Sequence, residues 1–202
     1  MKFKTEGPLI ITPELQEKIN RSLNEPIKLV EYDPNWKKLF LEEKDFIQSQ
    51  LPTELILKIE HFGSTAIHGM QSKPVIDIMV EVSNLNEAHS VIPETFEPLG
   101  YDYFPRPAFN NGEPPLIPFL IKWKKNQLRS HHIYFLDSSF TSYWDRLSFR
   151  DYLMKNPTIA RDYQKLKIEE SIKHSSDRIS YTNAKTEFIE RVTALAKKCL
   201  ST

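Results

Sequence analysis

The chain has 202 residues, with 27 Lys and Arg against 27 Asp and Glu and one cysteine. That length holds one domain with an ample core, or one domain with a helical appendage, and the even charge gives no global field to attract nucleic acid or a membrane surface. The single Cys199 excludes an intramolecular disulfide framework, and no apolar run approaches the ~20 residues that span a bilayer. With no signal-peptide core at the amino end, these features describe a soluble cytoplasmic protein.

Thr12-Pro13-Glu14 is a helix start, with Thr12 as N-cap, and the helix runs to about Leu23 before Pro26. It reads as a surface extension, residues 1–26, packed on the main domain. Ile27 to Tyr32 alternates loosely and predicts a first strand. Asp33-Pro34 opens a helix to about Gln50, in which Trp36, Leu39, Phe40, Glu43, Phe46 and Ile47 recur at helical spacing and read as core. Ile56 to Phe62 predicts a strand.

Gly63, Ser64 and Thr65 then break the apolar pattern. Gly63 permits backbone conformations closed to other residues, and such a turn can aim several N–H groups at a phosphate. Val75 to Val82 is the best strand in the sequence, and Asp77 is its oddity, because a carboxylate amid Val, Ile and Met is expensive to bury without a partner. Two plainer readings stand beside these: an ordinary turn, and a strand-end Asp that accepts backbone hydrogen bonds. Asp77, Met79 and Glu81 share one strand face, and Glu81 lies about 13 Å from Asp77 at ~3.3 Å per residue. Glu81 therefore cannot supply the second ligand of a two-metal site, whose ions sit only ~4 Å apart.

Asn84 and Glu87 form a capping-box pattern for a short helix to about Val91, with His89 on its surface. From Pro93 to Pro118 lie half of the chain's 14 prolines, with Asn110-Asn111-Gly112 at the centre, which predicts mostly loop, with a lid or binding loop and a mobile bystander as equal readings. Arg106 is its anion-binding candidate. Phe119–Trp123 and Ser130–Leu136 predict a hairpin about Lys124–Gln127, whose second strand sends His131 and His132 to opposite faces. The rest is helical: Phe140 to Met154, Pro157 to about Lys173 and, after a break at His174–Asp177, one long helix from Ile179 to Leu200. Within it Tyr181 and Lys185 share a face, from which Lys185 either reaches a phosphate or Asp77 or, like most charged helix residues, stays solvated.

HFGSTAIHG followed by SKPVIDIMVEV, together with EYDPNWKKLFLEE, FRDYLMKNP, ARDYQKLK and DRISYTNAKTEFIERV, resembles the GrpB family over about Ile27 to Ala196. The resemblance implies an α+β, nucleotidyltransferase-like fold: a core at 27–137 of mixed sheet and packed helices, and a helical part at 138–202 closing on it as one structural unit. It implies that Gly63, Ser64 and Thr65 cradle the phosphates of a nucleotide or phosphorylated small molecule. Arg150 and Lys185 would contact that ligand, while Asp77 and His132 would be catalytic and hold a divalent cation, magnesium or manganese. The sequence departs from the family pattern at Met79, where a second carboxylate is expected, and at Tyr134, where a second His is expected. The implied activity is nucleotidyl or phosphoryl transfer. The alternative is a non-catalytic binding or interaction domain of the same fold, linked to coenzyme A metabolism through the family's fusions with dephospho-coenzyme A kinase.

Overall fold

The computed structural model describes residues 9–23, 25–107 and 115–200. Five strands form one mixed sheet in the order β1-β2-β5-β4-β3: β1 Ile56–Phe62, β2 Ile76–Val82, β3 Tyr101–Pro107, β4 Leu116–Trp123 and β5 Arg129–Leu136. The parallel β2–β5 pair at its centre sets Asp77 opposite His132, and every other pairing is antiparallel.

Strand alternation decides which face each residue takes. Ile76, Ile78 and Val80 of β2, with Ile133 and Phe135 of β5, pack beneath α2 (Asn35–Gln50) and α3 (Leu85–Phe96) through Trp36, Ile47, Ile92 and Phe96. Each such fully buried side chain stabilises the fold by roughly 1.5–3 kcal/mol. On the other face Met79, Phe119, Tyr134 and Leu136 meet Leu15 of α1 (Pro13–Leu23) and Tyr143 of α4 (Thr141–Lys155). A third cluster, with Met70, Phe149, Leu153, Tyr163 and Val192, joins α4 to α5 (Pro157–Lys173) and α7 (Thr186–Leu200). The fold is α+β.

Local signals account for the helix starts. Thr12 Oγ1 accepts from Leu15 N at 3.2 Å, Asp33 Oδ1 from Asn35 N at 2.9 Å, and Asn84 Oδ1 from Glu87 N at 3.1 Å. Four expectations need correction. Ile27 to Tyr32 is not a strand; it contributes one isolated bridge, Val30 to Ser72. The proline-rich segment is not mainly loop, because α3 continues through Pro93 to Phe96, and β3 and β4 follow. Burial overrides proline there, since Ile92 and Phe96 are both fully buried. Pro105 and Pro107 are tolerated because β3 is an edge strand, and Pro118 lies just beyond the first β4–β5 pair, Phe119 with Tyr134. The central Asn110-Asn111-Gly112 lies outside the described residues.

The last helix is two: α6 (Arg178–Asn183), capped by Asp177, and α7, separated by a tightened turn in which Lys185 N donates to Thr182 O. His89, finally, is not at the surface. It is 1% exposed, with Nδ1 2.8 Å from the Tyr103 hydroxyl and Nε2 2.8 Å from the Leu116 carbonyl oxygen, so it ties α3 to β3 and β4. His89→Leu removes both buried hydrogen bonds and should lower stability by about 2–3 kcal/mol in urea denaturation. A loss below about 0.5 kcal/mol would show that the imidazole is not a structural tie.

Candidate functional site

The site begins where β1 runs out. Gly63 follows Phe62 with φ +71°, and Ser64–Ala66 form one 3-10 turn. A Cβ at Gly63 would overlap the Asp77 carboxylate, with Asp77 Cβ and Cγ at only 3.1 Å. Glycine is required here twice, by its backbone angle and by the close approach of Asp77. Thr65, expected to contact ligand, instead turns inward. It is 3% exposed, and its hydroxyl donates to Val75 O at 3.2 Å and meets His61 Nε2 at 3.1 Å, tying the two limbs of the loop together. Ser64 lines the cavity that opens beside it.

Asp77 Oδ1 lies 3.0 Å from His132 Nδ1, and His132 Nε2 lies 3.2 Å from an Arg129 guanidinium nitrogen. A guanidinium only donates, so Nε2 accepts and Nδ1–H donates to Asp77. Burial pushes the His132 pKa down to about 4, against the pull of Asp77, so this imidazole is neutral near pH 7. Arg129 is in turn paired with Glu25 at 3.0 Å, and Glu25 with Arg178 at 3.1 Å. Asp77 is thus the open end of a chain of fixed hydrogen bonds and ion pairs.

The donor set does not fit a resident divalent cation. Met79, two residues along from Asp77, is fully buried in the apolar cluster, and Glu81 stands further along β2, opposite Lys58 of β1. The lone pair of His132 Nε2 is occupied by Arg129, and the Tyr134 hydroxyl accepts from Arg106 at 3.3 Å. Among the described residues no group of three or more His, Cys, Asp or Glu could hold a metal ion. One carboxylate ringed by cations lacks the oxygen ligands that magnesium or manganese needs.

The cations are the dominant feature. A cavity of about 460 Å³ is lined by Lys73, Arg106, Arg129, Lys167, Arg178 and Lys185, with Asp77 as the one carboxylate among the described residues that line it. Lys73 comes from the loop before β2, Lys167 from α5 and Lys185 from the break between α6 and α7. Lys167 donates to the Gln71 carbonyl and Lys185 to the Tyr181 carbonyl. Burial, reinforced by neighbouring cations, pushes the Lys73 pKa down to about 8, Lys167 to about 7 and Lys185 to about 6. Tyr163, Tyr181 and the end of α1, Ser22 and Leu23, complete the wall, so the amino-terminal helix contributes directly to the cavity.

Of the residues expected at the site, Gly63, Ser64, Asp77, His132 and Lys185 line this cavity together, and so does Arg106. Arg150 stands outside it. Its guanidinium is held by Asp151, by Glu60 at 3.2 Å and by the His61 carbonyl, bracing β1 against α4. Lys73, Arg129, Lys167 and Arg178 were not anticipated. The one signal for Lys167 was its place four residues after Tyr163, on the same face of α5.

Fold and site together define an α+β protein with a cation-lined cavity where the sheet meets its carboxyl-terminal helices. A family model described as GrpB protein matches residues 26–195, and the chain belongs to that family. It is 32% identical to the glutamate-rich protein GrpB of Alkalihalophilus pseudofirmus over 81% of this chain and 92% of that one. It is 31% identical to the UPF0157 protein YqkA of Bacillus subtilis over 85% of this chain, and there the match spans about half of the relative, 48%. The crystal structure of the conserved protein GrpB from Enterococcus faecalis is similar with a TM-score of 0.75 and 29% identity, over 87% of this chain and all of that one.

Proposed function

We propose that the cavity binds the anionic part of a nucleotide or other phosphorylated small molecule. The observation that carries this reading is the lining of six basic side chains against one carboxylate among the described residues. Charging these basic groups beside one another is costly, as the depressed lysine pKa values register, and a polyanion among them favours the charged forms. At ~460 Å³ it has the size of an ordinary small-molecule site.

Binding is tested by thermal shift with nucleotides and coenzyme A precursors, with and without magnesium or manganese. A ligand at ~100 times its dissociation constant stabilises the native state by about 2.7 kcal/mol. Lys38→Gln, at an exposed site on α2, leaves that shift unchanged. No stabilisation by any phosphorylated compound overturns the reading.

A second reading, nucleotidyl or phosphoryl transfer, is favoured by Asp77. Its carboxylate reaches the cavity beside Gly63 while His132 fixes its orientation, which suits it to accept the proton of an attacking hydroxyl. Arginines and lysines would then stabilise the transferring phosphoryl charge. Asp77→Asn is expected to retain binding within about threefold and to lose turnover by about 10²–10⁴-fold in a screen for nucleotide cleavage or transfer. Turnover undiminished in the variant would remove Asp77 from the chemistry.

A further inference from the structure

We propose that Lys73, Lys167 and Lys185 form a polyphosphate subsite that takes the place of a divalent cation, so that the ligand binds as a metal-free di- or triphosphate. The inference rests on the reading that the cavity receives a phosphorylated molecule, and it names which wall holds the phosphates and in what ionic form.

The cationic lining divides into two sets. The arginines are already engaged: Arg129 and Arg178 share Glu25, and Arg106 donates to the Tyr134 hydroxyl while lying 5.1 Å from the centre of the Phe119 ring. Among the described residues the three lysines have no such carboxylate partner within ion-pair distance. Lys167 and Lys185 meet backbone carbonyls, each of which occupies one of the three N–H donors of an ammonium. Two donors on each remain to be turned toward a ligand.

Their placement converges. The Lys73 and Lys185 nitrogens stand 5.2 and 3.3 Å from the centre of one ring, that of Tyr181, although they come from separate parts of the chain. Lys167 stands 5.2 Å from the centre of the Tyr163 ring in the same cavity wall. The two rings offset only part of the cost of holding these ammonium groups together out of water, and an anion shared among them offsets more. A chain of linked phosphates offers oxygens to all three ammonium groups at once, which a single phosphate does less well. The same wall repels a magnesium ion carried on the phosphates, because Asp77 is the one carboxylate among the described residues that line the cavity.

The test is isothermal titration with inorganic tripolyphosphate, pyrophosphate and orthophosphate, in buffer stripped of metal and again with excess magnesium. The expected affinity order is tripolyphosphate, pyrophosphate, orthophosphate, with magnesium weakening the first by sequestering it. Lys73→Gln, Lys167→Gln and Lys185→Gln should each weaken tripolyphosphate binding by about 10–100-fold, the loss of one charge-assisted contact. Thermal melts of the same samples confirm that each variant is folded, and Met replaces Gln wherever one is not. Tripolyphosphate binding that requires magnesium overturns the metal-free assignment, and undiminished binding by all three variants overturns the lysine assignment. In either case phosphorylated ligands still bind, and the cavity reading survives. Absence of binding by every phosphate and nucleotide, with and without metal, overturns both.

Discussion

Gly63→Ala should lower stability by about 2–4 kcal/mol, while Gly69→Ala, a few residues along the same loop, should lower it by only about 1–2 kcal/mol. Both glycines have positive φ, +71° and +76°, so a side chain pays the left-handed backbone penalty at either place. The difference is space. Nothing lies within 4 Å of a Cβ at Gly69, whereas at Gly63 that atom meets the Asp77 carboxylate. The carboxylate cannot step aside freely, because His132 Nδ1–H holds Oδ1 and Asp77 is paired in β2 between Phe62 and His132. Relief therefore comes only by breaking the Asp77–His132 bond or shifting the β1–β2 loop. Urea denaturation of both variants measures the contrast, and Asp77→Ala in the Gly63→Ala background completes a double-mutant cycle. A coupling of about 1–3 kcal/mol is expected between positions 63 and 77. Equal losses at the two glycines, or no coupling, would show that loop conformation alone sets the requirement for glycine.

Position 63 also marks how far the sequence could be read. A glycine ending a strand, followed by hydroxyl residues and a lone strand Asp, was legible as a candidate site because each feature violates a local pattern. The resemblance named His132 alongside Asp77, and the register of the parallel β2–β5 pair sets the two residues opposite each other. The hidden part consists of residues that violate nothing. Lys73, Lys167 and Arg178 are cations among loop and helix residues of ordinary polarity, and such residues usually face water. The burial of Lys167 and Arg178 and the half-burial of Lys73 follow from packing of α5 and α6 over the β1–β2 loop, through contacts as distant in sequence as Lys167 to Gln71 and Gln164 to Gln71. Arg150 failed in the opposite direction. It lies in a family-like segment, yet Glu60, Asp151 and the His61 carbonyl engage its guanidinium, and no sequence pattern distinguishes a bracing arginine from a binding one. The proline-rich segment shows the same priority of packing over propensity, for an edge position and a buried Phe96 decide its structure where proline count pointed to loop.

Lys185→Met should raise the stability of the ligand-free protein by about 1–3 kcal/mol near pH 7 while weakening ligand binding, so that one substitution moves the two properties oppositely. The lysine side chain is almost fully enclosed, 8% exposed, and thioether and amine stems have similar volume. Its nitrogen faces Lys73, Lys167 and Arg178, with Glu170 and the Tyr181 carbonyl as the opposing influences, and burial is the largest cause of its depressed pKa of about 6. In the unfolded chain the same group titrates near ~10.4. Between those values the unfolded state holds a proton that the folded state lacks, so protonation favours unfolding, and stability rises as pH climbs from about 6 towards the unfolded value. Above the unfolded pKa both states are neutral and the penalty vanishes; below about 6 both are charged and it is complete. Lys73 and Lys167, depressed to about 8 and 7, add slopes of the same sign over narrower windows. The ligand-free protein should therefore unfold at higher urea concentration at pH 9 than at pH 6, and Lys185→Met should flatten part of that rise. A bound polyanion reverses the argument by favouring charged lysines, so tripolyphosphate should stabilise the native protein most at the acid end of the range. Stability that is flat from pH 6 to 9, unchanged in Lys185→Met, would mean that water already solvates these ammonium groups and that no electrostatic tension awaits a ligand.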